Sequence, residues 1–206
     1  MAEELGKIER PEAEQFQSER KLYLVPLVFA PREPEEELAK IVARYWDQVE
    51  NHLSNLESKL GTVKRVYHEL MPVGGDEGTK AIEELNVGSH KITTARLEKG
   101  AELEAVEDAE LLAEFMDWSR CLSVGLQSPK VFTKIYEAFS DVQKKRNEYI
   151  SKRLDDTLKE GEAGILLMRE GHQVQFAKGI QVFYVAPPAL DEMKRWVREH
   201  ETERQE

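Results

Sequence analysis

The chain has 206 residues, enough for one domain that buries most of the surface its unfolded form exposes. Forty acidic against twenty-nine basic side chains leave a net charge of −11, which repels nucleic acid phosphate and anionic membranes. One cysteine, Cys121, excludes an intramolecular disulfide framework, and no apolar run approaches the ~20 residues that span a bilayer.

Residues 1–20 are rich in charge and poor in large apolar groups, which predicts a flexible acidic N-terminal segment ahead of a single α/β domain over 21–200. The opening stretch MAEELGKIERPEAEQ has neither the basic nor the apolar part of a signal peptide, so a cytoplasmic protein is expected. Lys21 to Ala30 reads as a strand interrupted by Pro26, which suggests an edge strand, a bulge or a late start. The prolines and acids of PREPEEE then open a helix with apolar residues from Leu38 to Leu60 at spacings of three and four, stopped by Gly61.

Val63 to Met71 is the second strand, ended by the turn PVGGDEG. Short helices are expected over 79–86 and 89–99, and a longer one from Glu107 to Gly125 with Leu111, Phe115, Trp118 and Leu122 on one stripe. Cys121 falls in that pattern, where a buried thiol is expected. Ser128-Pro129 reads as an N-cap and first helical residue, and the helix that follows reaches to about Glu160, roughly 45 Å long. Ala163–Met168 and Ile180–Val185 are the third and fourth strands, and Pro187-Pro188 opens a last helix with Leu190, Met193 and Val197 facing inward. Residues 201–206 read as a frayed polar tail.

Strands alternating with long helices predict an α/β fold, with a small, mainly parallel sheet of about four strands covered by helices. Ligands in such sheets bind beyond the carboxyl ends of the strands. His68-Glu69 and Arg169-Glu170-Gly171-His172 are delivered there by the second and third strands. His68 and Glu69 point to opposite faces of the sheet. A histidine on an apolar face is commonly a hydrogen-bonded core residue, whereas a buried Glu69 would have the raised pKa that suits a general base. Glycine at 171 lets the chain turn as it brings out His172, either a proton carrier or a turn residue.

The long helix carries a second signal. Its apolar stripe Val131, Ile135, Phe139, Val142, Ile150, Leu154, Leu158 is broken by Arg146, which calls for an anionic partner. That partner is either a structural carboxylate or an anion held bidentately. No zinc motif, P-loop, dinucleotide fingerprint or nucleophile elbow is found, so no metal-ligating residues are assigned and any cofactor is unknown.

The segment KKRNEYISKRLDDTLKEGEAGILLMREGH, 144–172, resembles the C-terminal motif region of the TraB/erythromycin-esterase-like superfamily. In that group a helix beginning with Arg-Asn or Arg-Asp precedes an apolar strand ending in Gly-x-x-His. Arg146 and Asn147 match the first motif and His172 the second. The resemblance implies a polar pocket of His, Glu and Arg, with hydrolytic or metal-dependent activity in some members. Arg169 replaces the motif's first glycine, and the strand LVPLVFAP lacks the family's first Gly-x-x-His. Two functions follow as expectations. One is a non-catalytic ligand- or protein-binding module, taking a small anionic ligand or a protein partner and open to self-association. The other is a diverged hydrolase with His172, Arg146 and Glu69 as catalytic groups and His68, Asn147 and Arg169 as ligand-binding groups.

Overall fold

The fold is that of a computed structural model, which describes residues 18–31 and 33–203. The acidic N-terminal segment therefore lies almost entirely outside the described residues, as do residues 204–206 of the tail. Five strands, β1 (Arg20–Pro26), β2 (Val63–His68), β3 (Glu102–Glu104), β4 (Ala163–Met168) and β5 (Ile180–Tyr184), form one all-parallel sheet in the order β3-β2-β4-β1-β5. Six helices accompany them: α1 (Glu36–Leu60), α2 (Gly75–Leu85), α3 (Val87–Leu97), α4 (Ala109–Ser123), α5 (Pro129–Thr157) and α6 (Pro188–Glu203). The α/β class stands as expected. No described helix is long and apolar enough to cross a membrane.

Three sequence expectations are corrected. The fifth strand, β3, is the tripeptide Glu102-Leu103-Glu104, too short and too acidic to read as a strand alone. It forms because Arg65 of β2 pairs with both of its glutamates while Leu103 is buried. Pro26 does not mark an edge, since β1 lies between β4 and β5. It is the last residue of the strand, where its missing N–H ends the ladder to β5 just after Val185 N donates to the Leu24 carbonyl (2.8 Å). The PVGGDEG stretch is a helix start, with α2 beginning at Gly75 instead of 79 and Asp76 and Glu77 in its first turn. Gly78 is needed there, because a Cβ would sit 2.5 Å from the Val73 carbonyl oxygen as α2 packs onto β3.

Strand residues alternate between two covered faces. Tyr23, Val25, Ile165 and Leu167 share a core with Tyr45, Val49 and Leu53 of α1, Ile82 of α2, Ile92 of α3 and Leu190 of α6. Leu22, Leu24, Leu166 and Met168 meet Ile150 and Leu154 of α5 and Leu158 just past its end, together with Val174 and Phe176 from the β4–β5 connection. The chain leaves β2 toward the first layer and β4 toward the second. Neighbouring strands whose connections depart to opposite faces open a crevice at their carboxyl ends. One such crevice lies between β2 and β4, and β1, which leads into α1 of the first layer, makes another with β4.

Only the second half of α5 belongs to the core. From Pro129 to Asp141 no side chain is buried, and α4 packs on this stretch through Phe115 and Phe139, whose rings are 5.2 Å apart. The α4–α5 hairpin is thus an arm, with Val124, Val131, Phe132 and Tyr136 exposed along it. Cys121 on α4 is half-buried, where a buried thiol was expected.

Candidate functional site

Four ionised side chains converge at the β2/β4 crevice. Glu69, just past β2, accepts hydrogen bonds from the Arg169 backbone N (2.8 Å), from Arg169 Nη2 (3.0 Å) and Nε (3.1 Å), and from Arg146 Nη2 (3.2 Å). Arg146, 3% exposed, reaches it from α5 and also holds Glu107, donating from Nε to Oε2 (2.8 Å) and from Nη2 to Oε1. Its guanidinium lies 4.7 Å from the Phe115 ring centroid, a cation–π contact with the base of the arm. Glu107 in turn accepts from the Leu70 backbone N (3.0 Å). Leu70 has φ +70, a left-handed conformation costly for a bulky residue, and the Glu107 bond helps to hold it there.

Burial alone would raise the Glu69 pKa, but Arg169 and Arg146 hold it below the usual carboxylate range. Burial would likewise lower the Arg146 pKa, and Glu107 and Glu69 raise it instead. The expected gap in the α5 stripe is therefore filled by two buried carboxylates. Glu107 went unrecognised in the sequence because an acid beside Asp108, at the start of a helix, reads as a solvated first-turn residue. Asp108 does cap α4, accepting from Glu110 N and Leu111 N, while Glu107 points inward.

The other expected residues separate. His68 is fully buried: its Nδ1 donates to the Glu69 carbonyl (2.6 Å) and its Nε2 accepts from the Ser89 hydroxyl (2.9 Å). Burial pushes its pKa down to about 4, so the ring is neutral at pH 7. His172 leaves β4 after Gly171, whose φ of +78 is the glycine-dependent turn read from the sequence. Its ring meets Phe176 edge-on, its Nδ1 is sealed from solvent without a hydrogen-bond partner, and burial lowers its pKa against the opposing charge of Glu69. It lines, with Arg169 and Tyr184, a cavity of about 130 Å³ that Arg146 does not line. That is smaller than the roughly 300–1,000 Å³ of ligand pockets.

Asn147 instead lies on the far side of α5. It borders a groove of about 550 Å³ between this helix and residues 173–177. Among the described residues no group of His, Cys, Asp or Glu is placed to hold a metal ion. Compared with protein-family models, with curated proteins and with solved structures, the chain gives no match.

Proposed function

We propose that this protein is a non-catalytic binding module. The observation that supports this reading is the engagement of Glu69. A general base needs an open lone pair and a pKa near the working pH. Glu69 instead accepts from Arg169 and Arg146 with both oxygens, and its pKa is depressed. Arg146 is equally committed, since its Nε and Nη2 hold Glu107 and Glu69. The cluster is a neutral clamp joining β2, β4, α5 and the start of α4. The surface left for recognition includes the α5 groove, a second groove of about 500 Å³ between α1 and α3, and the exposed apolar arm.

The competing reading, a diverged hydrolase, draws on His172 with its unpartnered Nδ1 and on the strained Leu70 that follows Glu69. Hydrolysis of p-nitrophenyl esters, phosphates and glycosides by the wild-type protein and by His172→Ala, across pH 5–9, separates the two. The binding reading expects rates equal to buffer for both proteins. Turnover that is present in the wild type and lost in His172→Ala would overturn it.

A further inference from the structure

The α4–α5 arm leaves part of its apolar surface without cover. Phe115 is the one buried residue of α4, and the first half of α5 has none. The two helices meet through Phe115 and Phe139. Beside that seam Phe132 and Tyr136 lie one turn apart, their rings stacked at 6.0 Å and about half exposed. Their neighbours three and four positions away are Ser128, Pro129, Thr133, Ile135, Phe139 and Ser140, none of them charged. Val124 and Val131 are exposed at the same end of the arm. An apolar stripe wider than one partner helix can cover calls for a second layer.

The charges of the arm are sorted along its length. Phe115 lies opposite Phe139, so α4 runs from root to tip and α5 runs back. The tip half, residues 118–136, holds Arg120, Lys130 and Lys134 and no acid. The root half, residues 110–117 and 137–143, holds Glu110, Glu114, Asp117, Glu137 and Asp141 and no base. All eight of these residues are exposed. Arg120 pairs with Asp117 across the boundary at 2.7 Å, an exposed contact of little strength. Lys144 and Lys145 stand below the root, where α5 enters the core.

That sorting selects the partner. A surface of one sign is drawn to one half of the arm and repelled by the other. The arm itself, turned end for end, matches it, with basic tip on acidic root at both ends. This is the isologous contact of a two-fold dimer. It also sets two bodies of net charge −11 at opposite ends, where their repulsion is weakest. The same net charge, and the acidic root behind the tip, repel an anionic membrane.

We propose that two copies of this chain associate through their α4–α5 arms, antiparallel and related by a two-fold axis, into a four-helix bundle with Phe132 and Tyr136 at the contact. A face about 22 Å long and about 20 Å wide lies at the small end of stable interfaces, which places the dissociation constant in the micromolar range. This proposal rests on the binding reading above and names its partner.

The test is sedimentation velocity of the full chain from about 5 to about 500 μM, a span that brackets such a constant. The expected result is a concentration-dependent shift from monomer to dimer. Phe132→Glu should weaken it about tenfold or more with an unchanged melting temperature, because the ring is half exposed. Lys130→Glu/Lys134→Glu reverses the tip, and Glu114→Lys/Glu137→Lys/Asp141→Lys reverses the root. Each of these should associate about tenfold more weakly, and an equimolar mixture of the two should recover the wild-type affinity. A folding defect or a foreign partner cannot give that recovery. A chain that stays monomeric throughout, a dimer indifferent to Phe132→Glu, or a mixture no tighter than its components would overturn the proposal. Co-sedimentation of the monomer with phosphatidylglycerol vesicles would overturn it too, by giving the face to a membrane. Those outcomes leave the binding reading standing, whereas turnover that requires His172 would remove that reading and leave the dimer as measured.

Discussion

Arg146 can be buried only because carboxylates surround it, and that makes its partners expensive to remove. Deleting one member of a buried ion pair leaves an uncompensated charge, at a cost of about 3–5 kcal/mol. Glu107→Ala should lose about that much in urea denaturation, because it strips the bonds to Arg146 and to the strained Leu70 together. A loss below about 1 kcal/mol would mean that water replaces the carboxylate. His68 acts on stability through pH. Its folded pKa of about 4 lies below the ordinary 6.5, so between those values the unfolded chain takes up a proton that the folded chain refuses. Stability is therefore full above about pH 6.5 and falls as the pH drops toward 4, by roughly 3 kcal/mol in all. Glu69, whose folded pKa is depressed, adds a second loss below its ordinary 4.5. In His68→Gln the slope between pH 6.5 and 4.5 should flatten while the lower loss remains; an unchanged slope would assign it to another group.

Among the elements, α3 meets α1 at a point where only glycine fits. A Cβ on Gly88 would lie 2.1 Å from the Trp46 indole nitrogen, so Gly88→Ala must push the helices apart. Overpacking of this kind costs about 1–3 kcal/mol, and the Trp46 emission should shift with it. At the base of the arm, Asp108 accepts from Glu110 N (3.0 Å) and Leu111 N (2.9 Å). Asp108→Ala should cost about 1 kcal/mol, read as faster hydrogen exchange confined to the first turns of α4. Exchange that rises across the whole sheet would show that the arm and the core unfold as one unit.

At the scale of the molecule, the arm and the sheet should differ in local stability. The first half of α5 buries no side chain, whereas β4 is buried throughout, so amides of 124–136 should exchange well before those of 163–168. Helix α5 and strands β4 and β5 were legible because their patterns are local: a proline after a serine cap, apolar runs of strand length and stripes at helical spacing. The α/β class follows from their alternation. Strand β3 was not legible, because three residues of which two are acids become a strand only when Arg65 and α2 supply their partners. The candidate site divides in the same way. Arg146 stood out as a charge in an apolar stripe, and residues alone determined that it needed an anion. Which anion was decided by topology, because Glu69 and Glu107 are 38 positions apart in sequence and meet only where β2 and β3 run side by side. The two ends of the clamp come from different strands, and sequence periodicity carries no information across that distance. Asn147 follows from neither source alone. Its place beside Arg146 turns it to the outer flank of α5, and only the return of residues 173–177 along that flank makes a groove of it.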